Sequence, residues 1–577
     1  MPGADPLAEL IEAAKKKKQS IESGEKYATP MEKNEKKPEE AWTRSPPTTK
    51  PTNLVLQKPI QAALPEKKTP EQTRGENDAL FAVQRAIKHS DREPGKKIIE
   101  KYGVTTIFEV EGDPLLLYSV PAPRPTDAEL SIIKTIKEAA TRLISISPYR
   151  IRDLEQRRSV YKQKILEILE SAPEINVPSR LHALYADAVV REMVGYGAID
   201  PLVEDDQLEE IMINGPQTPV YVFHRKYEMM KTNVVFASDA DIQDLINRMA
   251  REIGRRVDIS SPLLDARLAD GSRVNATIPP ASVDGSSLTI RKFRQDPYTI
   301  IDLVKNNTLS SEGAAFLWLC ADGLDSKPAN ILIAGGTGGG KTSLLNVLAS
   351  MVPDHERVIS IEDTHELSLP LLHWIKLEAR PPGLEGKGEL SLDLLTKNAL
   401  RMRPDRIIVG EVRHDEAFTL FTAMNTGHAG SMGTLHANSA AETLVRVTSP
   451  PMNVPEVMLA GLDLLVMIQR IHDRNKGTVR RITQIAEIGG TLDRHAQTQT
   501  LFERDPVDDR LERTAIPSLY QKKLEEFTGF SSKEIQIELE DRKRLLDRLA
   551  QENIRQNNDV HRAINAYRMQ KKGTYGR

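Results

Sequence analysis

The stretch ILIAGGTGGGKTSLLNV, residues 331–347, constrains the chain more than any other. An apolar run enters a loop that fits G-x-x-x-x-G-K-[ST], and a helical pattern leaves it. A glycine-rich turn between strand and helix lets backbone N–H groups converge on phosphate oxygens, and the helix N-terminus adds a favourable dipole. Gly335, Gly336, Thr337, Gly338, Gly339 and Gly340 form that cradle, and Ser343 follows in the binding set. Lys341 is expected to reach the β- and γ-phosphates, and Thr342 to offer its hydroxyl to Mg²⁺. A chain with this loop binds a nucleoside triphosphate.

Around the loop, from 301 to about 490, short β-branched runs (NILIA, RVISIE, WIKLE, DRIIVGE, SMGTLH) alternate with helical patterns. That alternation predicts a largely parallel sheet flanked by helices. The 577 residues are too many for one core, so further units are expected. Residues 1–75, rich in Lys, Glu, Pro, Thr and Gln with almost no aromatics, read as a disordered tail. Within it, Leu7, Leu10, Ile11 and Ala14 share one helical face, which suits either a docking helix or a transient one.

Residues 76–187 read as a small α+β and helical domain, with two strands in TTIFEVEGDPLLLYSV, 105–120. A second α/β domain spans 188–297, with strands in 208–224, an amphipathic helix over 239–257, and strands in DARLADGSRVNATIPP and SSLTIRKF. The P-loop domain then covers 298–500, and 501–577 forms a helical appendage through SSKEIQIELEDRKRLLDRL. No internal repeat is evident.

Composition serves mainly to exclude. Charges cancel to a net −3, which gives no argument for nucleic acid or bulk membrane binding. The single cysteine, Cys320, excludes a disulfide framework and any four-cysteine zinc module. No apolar run approaches the roughly 20 residues that span a bilayer, and the N-terminus does not read as a signal peptide. A cytoplasmic protein without a transmembrane segment is expected, reaching a membrane only through a partner.

Hydrolysis needs carboxylates near the loop. VISIEDTHEL, 358–367, places Glu362, Asp363 and Glu366 just beyond a strand expected beside the P-loop strand. Carboxylates at strand C-termini face the ligand crevice of an open α/β sheet, where one can orient or deprotonate water. The alternative is a solvated acidic loop. DRIIVGEVR, 405–413, ends a second apolar strand at Glu411, where P-loop enzymes keep the acid of the Mg²⁺ shell. Asp is usual there, so Gly410-Glu411 departs from the pattern, and a salt bridge to Arg413 is the alternative role. His428 and His436, in TGHAGSMGTLHANSA, suit a nucleotide sensor or a structural pair, with no third ligand to make a metal site.

GGTGGGKT, SIEDTHEL, IIVGEVR and TGHAGSMGTLHANSA, in this order and spacing, closely resemble the Walker A, Asp box, Walker B and His box of the secretion ATPase superfamily. These ATPases power type II and type IV secretion, type IV pili and archaeal surface filaments. The resemblance covers about 195–490. It implies a RecA-like P-loop ATPase domain preceded by a smaller PAS-like α/β domain, with ATP and Mg²⁺ as cofactors. It implies Glu366 as catalytic glutamate, Glu411 holding Mg²⁺ through water, and His428 and His436 as the His-box pair. Arginines of the preceding domain reach the nucleotide in this family; Arg273 and Arg291 are the matching candidates, with a sheet salt bridge as the alternative for each.

The family further implies a homo-oligomer, expected as a hexameric ring, that acts on a polytopic membrane platform protein at the cytoplasmic face of the membrane. The entry to the second domain and the C-terminal helix look most like the archaeal branch. Within it, the absence of GETASGKT favours a type IV pilus or type II-like secretion ATPase over an archaellum motor. A nucleic-acid translocase and a non-hydrolysing nucleotide-gated scaffold are the rivals from other classes. No basic domain supports the first, and the retained Glu366 and Glu411 oppose the second.

Overall fold

The computed structural model describes residues 95–575 apart from 122–126, 145–150, 152, 172–176, 295, 381–386, 474–476 and 493–494. The expected tail of 1–75, with its helical face, lies outside the described residues.

Two sheets organise the described chain. The first contains β1 (Lys96–Tyr102), β2 (Thr105–Val110), β3 (Leu117–Ser119), β4 (Leu208–Asn214), β5 (Pro219–His224), β6 (Glu228–Val235), β7 (Leu263–Arg267), β8 (Arg273–Thr277) and β9 (Ser287–Arg291). Their order is β1-β2-β3-β6-β5-β4-β9-β8-β7. The alternation in PVYVFH buries Val220, Val222 and His224 on one face of β5. Helix Asp239–Glu252 turns Ile242, Leu245, Ile246 and Met249 inward, and Ser238 and Asp241 close a capping box at its start.

One expected boundary does not separate two cores. The sequence placed 105–120 in a unit with 76–187, yet β3 pairs in parallel with β6, and Ile107, Tyr118 and Val120 share a core with Ile211, Val222 and Ile290. A pairing between strands more than a hundred residues apart leaves no local period to read. Helices Asp127–Leu143, Leu154–Ser171 and His182–Met193 have a core of their own around Ile136, Ile165 and Val189.

The second sheet contains β10 (Ile331–Ala334), β11 (Val358–Glu362), β12 (Trp374–Glu378), β13 (Arg406–Val409), β14 (Met432–Leu435), β15 (Leu464–Asp473), β16 (Gly477–Leu492), β17 (His495–Asp505) and β18 (Arg510–Arg513). Its order is β12-β11-β13-β14-β10-β15-β16-β17-β18. Strands from β12 to β15 run parallel, and β15 to β18 form an antiparallel meander. Ile331 and Ile333 of β10 point into one core and Leu332 and Ala334 into the other, as a strand covered by helices on both faces requires. This is the α/β, RecA-like arrangement that the family resemblance implied. The meander carries β17 across the expected boundary at 500.

A second correction concerns strand order. β11 does not lie beside the P-loop strand, because β13 and β14 intervene. Successive strands in a doubly wound sheet are neighbours only until the winding direction changes. At the C-terminus, helices Ser532–Gln551 and Asn557–Tyr575 pack on helix Ser311–Asp322, with Ile535, Leu539, Leu546 and Ile564 in one core with Trp318. A buried ionic cluster reinforces that contact. Asp322 holds Arg542 at 2.8 Å and Arg568 at 3.2 Å, while Glu538 holds Arg542 at 2.9 Å and Lys571 at 3.2 Å. Among the described residues no helix is long and apolar enough to cross a membrane.

Candidate functional site

The P-loop leaves the C-terminal end of β10 and becomes helix Lys341–Ala349. Its glycines answer two different demands. Gly340, with φ +96°, needs the left-handed freedom that glycine alone has cheaply, whereas a Cβ on Gly335 would lie 1.9 Å from the Ile468 carbonyl oxygen of β15. Lys341, Thr342 and Ser343 make the first turn of the helix.

Lys341 is buried, and its Nζ donates to the Gly336 carbonyl at 3.1 Å and lies 3.4 Å from both ring nitrogens of His436. Burial pulls this ammonium below the ordinary lysine range, with the Glu411 carboxylate opposing. His436 follows β14, the strand next to β10, so the pairing of the two strands brings it to Lys341. Burial and the Lys341 charge lower the imidazole's affinity for a proton, although Glu411 pulls the other way.

Glu411 completes the group from the end of β13. Its Oε1 is 2.9 Å from His436 Nε2, and its Oε2 accepts from Arg413 at 2.5 Å. Burial pushes its carboxyl up, but Arg413, His436 and Lys341 outweigh this and hold it below the usual glutamate range. Glu411 is thus salt-bridged to Arg413, and its carboxylate also feels the charge of the P-loop lysine.

The acidic loop after β11 reaches the site although two strands separate β11 from the P-loop strand. Ser368 N donates to Asn346 Oδ1 on the P-loop helix, and Arg413 comes within 3.7 Å of Asp363. Glu362, deeply buried, accepts from Glu366 N at 2.9 Å, Leu367 N at 3.0 Å and His365 Nδ1 at 2.7 Å. It thus holds the loop that presents the more exposed Glu366. Gly410 now has a packing reason, since a Cβ there would stand 3.0 Å from Glu362 Cγ. Burial raises the Asp363 carboxyl, and Arg413 opposes that shift.

From the first sheet, Arg273 and Arg291 are direct partners on β8 and β9 and so share a face. Arg291 lies 3.6 Å from Glu366 Oε1, whereas Arg273 is held by Asp265 through bonds of 3.1 and 2.8 Å. The structure does not bring His428 to this group. It precedes β14 and His436 follows it, so the strand Met432–Leu435, about 13 Å of rise, separates them.

Sequence reasoning missed Glu362 and His365 as the anchor of the acidic loop, and Arg470 and Arg480 beside the P-loop, where Arg480 Nε donates to Gly338 O at 3.0 Å. Only three-dimensional pairing distinguishes these from ordinary surface charges.

The residues fit a magnesium–triphosphate. The Glu411 Oε1 atom is buried without a well-aligned hydrogen bond, and Thr342 stands on the first helical turn. Among the described residues no group of three or more His, Cys, Asp or Glu forms a metal cage. Magnesium usually takes few protein ligands and keeps water and substrate phosphate, which suits this set.

Residues 192–557 match the family described as Type II/IV secretion system protein. An uncharacterized protein of Methanocaldococcus jannaschii is 33% identical over 547 residues, covering 65% of this chain and 75% of its own. The type IV secretion system protein VirB11 of Bartonella henselae is 27% identical over 340 residues, covering 52% of this chain and 94% of its own. Among solved structures, the VirB11 ATPase of the Brucella suis type IV secretion system in complex with sulphate is 25% identical. That match covers 49% of this chain and 90% of that one, with a TM-score of 0.25.

Proposed function

The chain belongs to the type II/IV secretion system protein family, and from that premise we propose that it hydrolyses ATP to drive filament assembly or secretion. The observation that carries this reading is the convergence of Lys341, His436 and Glu411 at the P-loop, with Arg291 meeting Glu366 from the other sheet.

In the proposed reaction the P-loop amides and Lys341 hold the phosphates, and Thr342 and, through water, Glu411 would hold magnesium. Magnesium, when bound, neutralises charge on the β- and γ-phosphate oxygens. Glu366 orients the attacking water and takes its proton; the new bond forms from water oxygen to the γ-phosphorus, and the bond to the β–γ bridging oxygen breaks. Arg291 and Arg273 stabilise charge on the leaving phosphate. His436, neutral beside Lys341, reports the γ-phosphate by hydrogen bonding without adding a second cation.

The active unit in this reading is a head-to-tail ring, taken as a hexamer, because heterologous interfaces close when their rotation allows. It works at the cytoplasmic face of the membrane on a polytopic platform protein. A type IV pilus or type II-like machine of the archaeal branch is favoured over an archaellum motor by the GGTGGGKT loop. The test is phosphate release per subunit as protein concentration rises, with particle size followed in parallel. A steep cooperative rise supports the ring. A monomer that hydrolyses at a flat rate overturns it, and no hydrolysis at any concentration overturns the enzyme reading itself.

A further inference from the structure

Two arginines face one another at the rim of the P-loop. Arg470 on β15 and Arg480 on β16 are direct partners in the antiparallel register, a placement that like charges destabilise. Both lie against the phosphate loop. A Cβ on Gly338 would stand 3.7 Å from the Arg470 guanidinium, and one on Gly340 3.3 Å from Arg480 Cδ. Arg480 also donates from Nε to the Gly338 carbonyl.

Their countercharges come from the other sheet. Glu228 lies 3.6 Å from Arg470, and Glu209 lies 4.0 Å from Arg480. Glu228 opens β6 with φ 60°, a conformation uncommon for a residue with a Cβ. Glu209 sits on β4 and also pairs with Arg225 at 3.2 Å. A tight turn and a strand thus present two carboxylates to the two cations that rest on the phosphate loop.

We propose that Arg470 and Arg480 are nucleotide-responsive positioning residues that join the P-loop to the first sheet through Glu228 and Glu209. The proposal rests on the reading that the P-loop binds ATP. A polyphosphate on that loop and the two carboxylates compete for the same pair of guanidinium groups. The pairs are long and partly exposed, so each is weak and exchanges readily. Nucleotide binding releases these two pairs while Arg291 and Arg273 stay on the phosphates, and by linkage the carboxylates weaken nucleotide binding by the same factor.

The test is titration of the full chain with a fluorescent ATP analogue. The double variant Glu209→Gln/Glu228→Gln should bind about fivefold more tightly than wild type, the low end of measured coupling between sites. That gain should vanish in 1 M salt, where screening acts within about 3 Å. Arg470→Gln/Arg480→Gln should weaken binding. Cysteines placed at the exposed Val283 and Val457 can carry a dye pair, since Cys320 is buried. Nucleotide should change energy transfer in wild type and much less in the carboxylate double variant. If the double variant melts early, Glu209→Gln and Glu228→Gln alone carry the same expectation at reduced size. Wild-type affinity in the carboxylate variants, with binding lost in Lys341→Ala, overturns the coupling and leaves the ATP reading standing. A wild-type chain that binds no nucleotide overturns both.

Discussion

At the scale of single residues, two neighbouring glutamates should separate cleanly. Glu362→Ala leaves two backbone N–H groups and the His365 ring without their acceptor, so urea unfolding should show a loss of about 3 kcal/mol. Glu366→Gln should leave stability within about 0.5 kcal/mol and cut phosphate release by roughly a hundredfold or more. Equal losses of stability in the two would contradict the division of labour. His436 gives a pH prediction. Its folded value lies below the ordinary histidine value of about 6.5, so between the two the unfolded chain binds more protons. Its contribution to stability is present above that value and is lost as pH falls through the folded one. A ring titration by NMR should find the midpoint below about 6.5, and a midpoint at or above it would remove the proposed neutral sensor. The acids and His436 were legible because each stands at the end of an apolar run. His428 looked equivalent in sequence, and only the direction of β14 tells the two histidines apart.

At the scale of elements, the P-loop glycines are not interchangeable. Gly335→Ala drives a Cβ into the backbone of β15 and should cost about 3 kcal/mol, the upper part of the range for overpacking. Gly336→Ala meets open space and should melt close to wild type. Thermal unfolding of the two variants checks this, and a similar loss in both would show that the loop sits differently. The strand–loop–helix unit was readable because its demands are local. Strand order was not, since β11 and β10 both read as buried apolar runs and nothing in either names its neighbour. The missing information is carried by long-range contacts such as Ser368 N to Asn346, which bring the acidic loop back to the P-loop helix.

At the scale of the whole molecule, the C-terminal helices are bound to the P-loop unit by charge as well as by apolar packing. Arg542→Ala would leave Asp322 with Arg568 alone and Glu538 with Lys571 alone in the interior, so the loss should lie near the low end of the range for breaking a buried pair, about 3 kcal/mol. Denaturant unfolding should therefore report a large loss, or a separate early transition for these helices; an unchanged midpoint would mean that the cluster is solvated. The amphipathic pattern of 531–554 announced this helix, but the sequence held no sign of its ionic attachment to helix Ser311–Asp322. The P-loop strand is the fifth of nine in its sheet, with four strands on either side. At a strand spacing of about 4.8 Å, each edge stands roughly 19 Å from the hinge of the reaction, so a tilt of about 10° there would swing an edge by roughly 3 Å. The central strand thus stands where a fulcrum would, so that in the proposed hydrolysis a small tilt at the phosphates would become an edge movement as large as a side chain.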